Sequence, residues 1–402
     1  MPSVVPSRAH HLDVTAADFD LGDPRIAEAR HAHWYGHTPL GPIVLRYAEA
    51  RLLLRDQRFG ENGQAFLEAC GVCSGELYDW LGSLLLPQTG NRHRALRGLV
   101  SGMFSTDLLA RLRPFIRSAA DRLVADLPRG QTVDASTAFA DRLTTAVLCE
   151  LIGVPAEDTS RFARWSTDLG LVYEIDARAD ALPRASAALA GLRSYVDDLV
   201  PRVRPDQDGS LLSFLVAEGR RDGLLTAAEL NDLVVGLLFA AHDTTRHQIG
   251  SAVLTLASHP DQWSLLGRRP DLADQAVAEM LRWCPCVPIP FRSARHDLDW
   301  DSSLMRARDL VLVSIHSANR DPLAFDRPEE FDITRAHRSP ILSFGAGPHY
   351  CVGMAVARSE LAAALLALTT TVDPPELAGT VAWRRPLGIW GPESLPLRLR
   401  DR

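Results

Sequence analysis

Lysine is missing altogether: all 43 residues counted as Lys or Arg among the 402 are arginines. We read that bias as the codon usage of a GC-rich genome. Long apolar runs are missing too. No stretch approaches the roughly 20 consecutive apolar residues that span a bilayer. Met1-Pro2-Ser3-Val4-Val5-Pro6 has no basic segment followed by an apolar core, so neither signal peptide nor membrane anchor is expected. We therefore expect a soluble, cytoplasmic protein with no membrane partner. Positive charge is in short supply, and a net charge of −7 argues against broad nucleic-acid binding. The six cysteines are too few for a disulfide framework in a chain of this length. Cys70-Gly71-Val72-Cys73 has the C-x-x-C spacing of redox and zinc sites, but no βαβ pattern surrounds it. Cys284-Pro285-Cys286 has the wrong spacing for a zinc knuckle. Reduced thiols are the simpler reading of both pairs. There is no internal repeat, and no linker is long enough to separate domains, so a single domain over 1–402 is expected. No flavin or nicotinamide fingerprint is present.

What is there is mostly helical periodicity. Residues 108–127, 137–152, 185–200, 227–257 and 352–370 read as helices, and the short runs 43–47 and 309–313 read as strands. The expected fold class is mainly α with a minor β lobe. Gly153-Val154-Pro155 closes one helix, with glycine just past the end. Pro260 suits the first position of another. Arg204-Pro205-Asp206-Gln207-Asp208-Gly209 reads as a surface turn.

The most informative segment is Phe344-Gly345-Ala346-Gly347-Pro348-His349-Tyr350-Cys351-Val352-Gly353, just before an amphipathic helix. Its glycines allow a tight turn with inward amides. Cys351 then sits at or just before a helix N-terminus, where the dipole and free amides favour thiolate. Far upstream, Thr226-Ala227-Ala228-Glu229 forms a capping box. It opens a helix about 45 Å long at 1.5 Å per residue. In its middle lies Ala240-Ala241-His242-Asp243-Thr244-Thr245. Polar residues in the middle of a buried helix are locally unfavourable, and such breaks of pattern mark functional sites. The alternative for Thr244 is a bond back to a helix carbonyl.

Phe344-Gly345-x-Gly347-x-His349-x-Cys351-x-Gly353 resembles the haem-binding signature of the cytochrome P450 family, and Ala240 to Thr244 resembles its distal-helix motif, with Ala241 where glycine is common. The resemblance implies the P450 fold, a helical body around a buried haem b (iron protoporphyrin IX), with Cys351 as the iron ligand. Thiolate ligation favours O–O cleavage. It also implies that Thr244 hydrogen-bonds O2 and a water, and that Asp243 relays protons. Phe344, Gly345 and Ala241 would contact the haem. His93 and Arg97, one turn apart in an H-x-x-x-R pattern, Arg292 and His349 would hold its two propionates; for His93 to Arg97 a solvated basic face is the default alternative. Glu279-Met280-Leu281-Arg282 matches the E-x-x-R pair, whose third basic partner would be Arg327 or Arg335. His242 reads as a hydrogen-bonded helix histidine and His247 as structural.

By the same resemblance, aromatics in and near the substrate pocket would include Tyr78, Trp80, Trp165, Tyr173, Phe291 and Trp390. The implied function is oxidation of a small organic molecule, a natural-product intermediate, by hydroxylation, epoxidation or ring coupling. Ferredoxin and ferredoxin reductase would supply electrons to a monomer, docking near Arg92, Arg94, Arg111 and Arg113. A peroxide-driven haem-thiolate enzyme and a non-catalytic haem protein are the rival readings. The Asp243-Thr244 pair argues against both.

Overall fold

The computed structural model describes residues 10–61, 63–174, 179–203, 210–300 and 303–402; the turn expected at 204–209 lies outside them. The long helix Ala227–Ala257 crosses the interior, and Thr226 and Glu229 close its start in the expected capping box, with the Glu229 amide donating to Thr226 Oγ1 at 3.2 Å and the Thr226 amide to the Glu229 carboxylate at 2.8 Å. It is apolar on most sides because helices pack all around it: Arg142–Ile152, Thr159–Gly170, Ala181–Leu199 and Met354–Thr371. Leu230, Val235, Leu238, Ile249, Ala252 and Leu256 are buried in the main core. The helices expected at 108–127 and 185–200 run Thr106–Asp126 and Ala181–Leu199. The one expected over 137–152 opens with a π-helical turn, Ser136–Asp141, before its α-helical part. Gly153 closes it in a left-handed conformation at φ 89°, and Pro260 opens the Pro260–Arg268 helix, both as the sequence implies.

The minor β lobe is centred on a five-stranded sheet. Its order is Tyr35–Thr38, Gly41–Val44, Leu310–Val313, Phe291–Ala294 and Phe59–Gly60, antiparallel except between the second and third. The strand expected over 43–47 ends at Val44, because Arg46 caps a helix that starts at Tyr47. The sheet carries Arg292 on an inner strand and sets Glu61 just beyond Gly60 of an edge strand. No helix among the described residues is long and apolar enough to cross a membrane.

Candidate active site

The segment around Cys351 is held by backbone. The Cys351 amide donates to the Phe344 carbonyl at 2.9 Å and the Gly345 amide to the Leu342 carbonyl at 2.8 Å. Gly345 and Gly347 both have φ near 75°, the left-handed region that suits glycine. At Gly347 there is a second requirement, since a Cβ would lie 3.0 Å from the Arg55 Cα. The helix starts at Met354, three residues after the cysteine. The half-buried Cys351 sulfur accepts hydrogen bonds from the Gly353 and Met354 amides. Burial is nevertheless the largest influence and pushes the free thiol up; those amides and Arg97 only oppose it. The amides and Arg97 favour thiolate against burial, and a bound metal, which deprotonates a coordinating thiol, would favour it further.

Next to this loop the expected basic residues converge. The His93 and His349 rings lie 4.4 Å apart between centroids, and His93 Nε2 and His349 Nδ1 are buried without a hydrogen-bond partner. Burial, then the neighbouring His93, Arg292, Arg295 and Arg97, lowers the His349 pKa to about 4. Burial also lowers that of His93. Arg97 donates to the Tyr350 carbonyl. Arg292 is buried and pairs with Glu61 at 2.8 Å. Arg295 and Glu61 were not singled out from sequence, since neither sits in a motif. Arg92 pairs with Glu229 at the start of the long helix.

Mid-way along the long helix, Leu237, Ala240, Ala241 and Thr244 are partly or fully accessible while their neighbours are buried. Their spacing of three and four residues puts them on one helix face. The Thr244 hydroxyl donates to the Ala240 carbonyl at 2.8 Å, the back-bond that competed with a functional reading. Asp243, on a different face, is fully buried. Its carboxylate meets Arg246 at 2.8 Å, Arg384 through a close contact, and lies 3.6 Å from His247. Burial alone would raise the Asp243 pKa, but Arg384 and Arg246 outweigh it and hold it far below the usual carboxylate range. Gly170 makes room for this pair, because a Cβ there would lie 2.5 Å from Asp243 Oδ2 and 3.0 Å from Arg384 Nη1. Arg384 also lies 3.4 Å from Glu174 and 3.5 Å from Glu393. His242 is the helix histidine expected: its Nε2 lies 3.1 Å from both Thr145 Oγ1 and Asp141 Oδ1. His247 is buried, and burial drives its pKa well down.

The Glu279–Arg282 pair is wholly buried, with two contacts at 2.7 and 2.8 Å. Its third partner is Arg335, whose Nε lies 3.1 Å from Glu279 Oε2. Arg327 points elsewhere, to Glu330 and Asp332. Of the aromatics expected around a substrate, the structure joins Tyr173 and Phe291 through Phe66, which stacks on Phe291 at 5.4 Å and 14°. Trp80 is core, Trp165 packs with Arg161 and Tyr195, and Tyr78 bonds Glu68. Trp390 stacks on Trp383. Among the described residues no group of three or more His, Cys, Asp or Glu is placed to hold a metal ion.

Residues 197–370 match the family model described as cytochrome P450. The chain is 37% identical over 388 residues to luteothin monooxygenase of Streptomyces thioluteus, covering 96% of this chain and 95% of that protein. It is 38% identical over 344 residues to vitamin D(3) 25-hydroxylase of Pseudonocardia autotrophica, covering 85% and 82%. The crystal structure of CalO2 superposes with a TM-score of 0.87 at 33% identity, covering 98% of this chain and 99% of that one. With a glycine-turned cysteine loop, a basic cluster beside it and a mid-helix acid and alcohol, these matches leave one conclusion: the chain belongs to the cytochrome P450 family, haem-iron monooxygenases that act on small molecules with electrons from redox partners.

Proposed function

We propose that this protein binds haem b through Cys351 and, with electrons from a ferredoxin and its reductase, oxidises a small natural-product intermediate as a cytoplasmic monomer. The observation that carries this reading is the Cys351 sulfur, aimed at by two backbone amides in a loop that only left-handed glycines can form. The surroundings fit the cofactor independently. The orphaned His93 Nε2 and His349 Nδ1, with half-buried Arg97 and buried Arg292, form a set of donors of the kind that carboxylates satisfy. Along the long helix, the accessible face Leu237–Ala240–Ala241–Thr244 carries two alanines that leave room beside it. Phe344 and Gly345 hold the loop's near edge. When bound, a thiolate-ligated haem supplies the redox chemistry and the O–O cleavage.

The chain's own residues then handle position and protons. Thr244 donates to Ala240, which leaves its oxygen lone pairs free to accept from a water on the accessible face. Asp243 stays ionised, so it accepts protons rather than storing one, and Arg384 and Arg246 fix its direction. Passing a proton inward requires Asp243 to loosen from Arg384 and Thr244 to turn off the Ala240 carbonyl. Phe66, Tyr173 and Phe291 offer apolar ring surface to a substrate. Beside the cysteine loop a groove of about 560 Å³, lined by Arg55, Gln57, Gly347, Pro348 and Tyr350, offers an electron donor access.

The test is cofactor extraction together with electron dependence. Extracted pigment should be iron protoporphyrin IX, and substrate oxidation should need NADPH, ferredoxin and reductase. Asp243→Asn and Thr244→Ala should each slow product formation by about 10²-fold, the scale of a positioned proton-transfer group. Equal turnover of all three proteins with peroxide alone, and none with the electron chain, would make it a peroxide-driven enzyme.

A further inference from the structure

Arg292 meets a carboxylate of the protein itself. Its guanidinium is already paired at 2.8 Å with the largely buried carboxylate of Glu61. We propose that Glu61 is a positioning residue that sets the charge of the haem-propionate pocket by sharing Arg292, and so holds the haem reduction potential down. The inference rests on the haem reading above and adds a residue that no haem motif of this chain contains.

Four guanidiniums, Arg94, Arg97, Arg292 and Arg295, lie around His93 and His349, and of these only Arg292 is buried. Two propionates bring two negative charges. Glu61 adds a further one, paired at 2.8 Å with Arg292, the one guanidinium of the cluster that is buried. Without Glu61 the pocket is one charge more positive and the buried Arg292 loses that partner. Burial raises the Glu61 pKa and Arg292 opposes that; the pairing is what keeps a carboxylate in this position. Glu61 also sits beside buried Tyr173, whose phenol burial and Glu61 together raise to about 12, so the phenol remains a neutral donor.

The sign of the effect follows directly. Adding an electron to the haem is favoured by nearby positive charge, so losing Glu61 favours the ferrous form. It also releases Arg292 fully to the propionate, so the haem is held at least as tightly. A merely structural Glu61, one that props Arg292 in place, predicts the opposite for haem retention.

The experiment is a redox titration of purified holoenzyme, wild type, Glu61→Gln and Glu61→Asp, paired with haem-loss rates to apomyoglobin. The carbon monoxide spectrum of each is recorded first, so that failure of the thiolate assignment is seen separately from failure of this proposal. Glu61→Gln should shift the ferric–ferrous equilibrium by about tenfold toward ferrous, about 59 mV for one electron. Its haem loss should be no faster than wild type. Glu61→Asp should keep most of the wild-type potential. An unchanged potential in Glu61→Gln would overturn the proposal. So would faster haem loss, or a variant that cannot retain haem, since either shows Glu61 acting as a prop and not as a charge.

Discussion

Arg384→Met should destabilise this protein far more than the loss of an ordinary ion pair. Arg384 and Asp243 are both almost completely shielded from water, with side chains 2% and 0% exposed. Removing one partner of such a pair leaves a buried charge uncompensated, at a cost of about 3–5 kcal/mol. Methionine keeps the length of the stem, so the change is mainly electrical. Arg246, 2.8 Å from the same carboxylate, remains and places the loss toward the lower end. The pH dependence gives a second check. In the wild type the Asp243 pKa is depressed, so its contribution is present above the unfolded value of about 3.9 and is lost as pH falls through the folded pKa. In the variant, burial is less opposed and the carboxyl takes up a proton at higher pH. The gap between the two proteins should therefore narrow on acidification. Urea unfolding of the two holoenzymes at equal haem loading, followed by tryptophan fluorescence from pH 7 downward, measures both. A loss below about 1 kcal/mol at pH 7, the value of an exposed pair, or a gap that widens on acidification, would refute the reasoning.

Gly170→Ala should cost about 1–3 kcal/mol, because its Cβ would lie 2.5 Å from the Asp243 carboxylate and something must move; the same unfolding assay reads it, and a neutral result would show that the pair has room to spare. Arg335→Ala should cost about 3–5 kcal/mol by exposing Glu279 to burial with one partner fewer. Arg327→Ala, at an exposed site, should stay within about 0.5 kcal/mol. Reversal of that order would move the third partner of the Glu279–Arg282 pair back to Arg327.

The legible parts of this protein were the ones written in local sequence. The cysteine loop, the capping box at Thr226 and Glu229, and the acid and alcohol at 243 and 244 are each carried by a few adjacent residues, and the structure places them as expected. The partners of those residues were not legible. Asp243 is held by Arg384, 141 positions away, in a segment with no motif of its own. Arg292 meets Glu61 across the sheet, because the strands carrying Phe59–Gly60 and Phe291–Ala294 pair. Arg335 rather than Arg327 completes the Glu279 site because the chain after Pro328 turns so that Arg335 reaches inward, and nothing in its spacing signals that turn. Aromatics carry little local signal of this kind, since Trp80 is buried in the core and Trp165 packs half-buried against it beside Arg161.

The central claim is that Cys351 is the ligand of a haem iron, and the difference spectrum of the reduced protein with and without carbon monoxide tests it most directly, on wild type and on Cys351→Ser. The account predicts a strongly red-shifted Soret band in the wild type that is absent from the variant. A wild-type band at the position of histidine-ligated haem, or the same red-shifted band in Cys351→Ser, would contradict it.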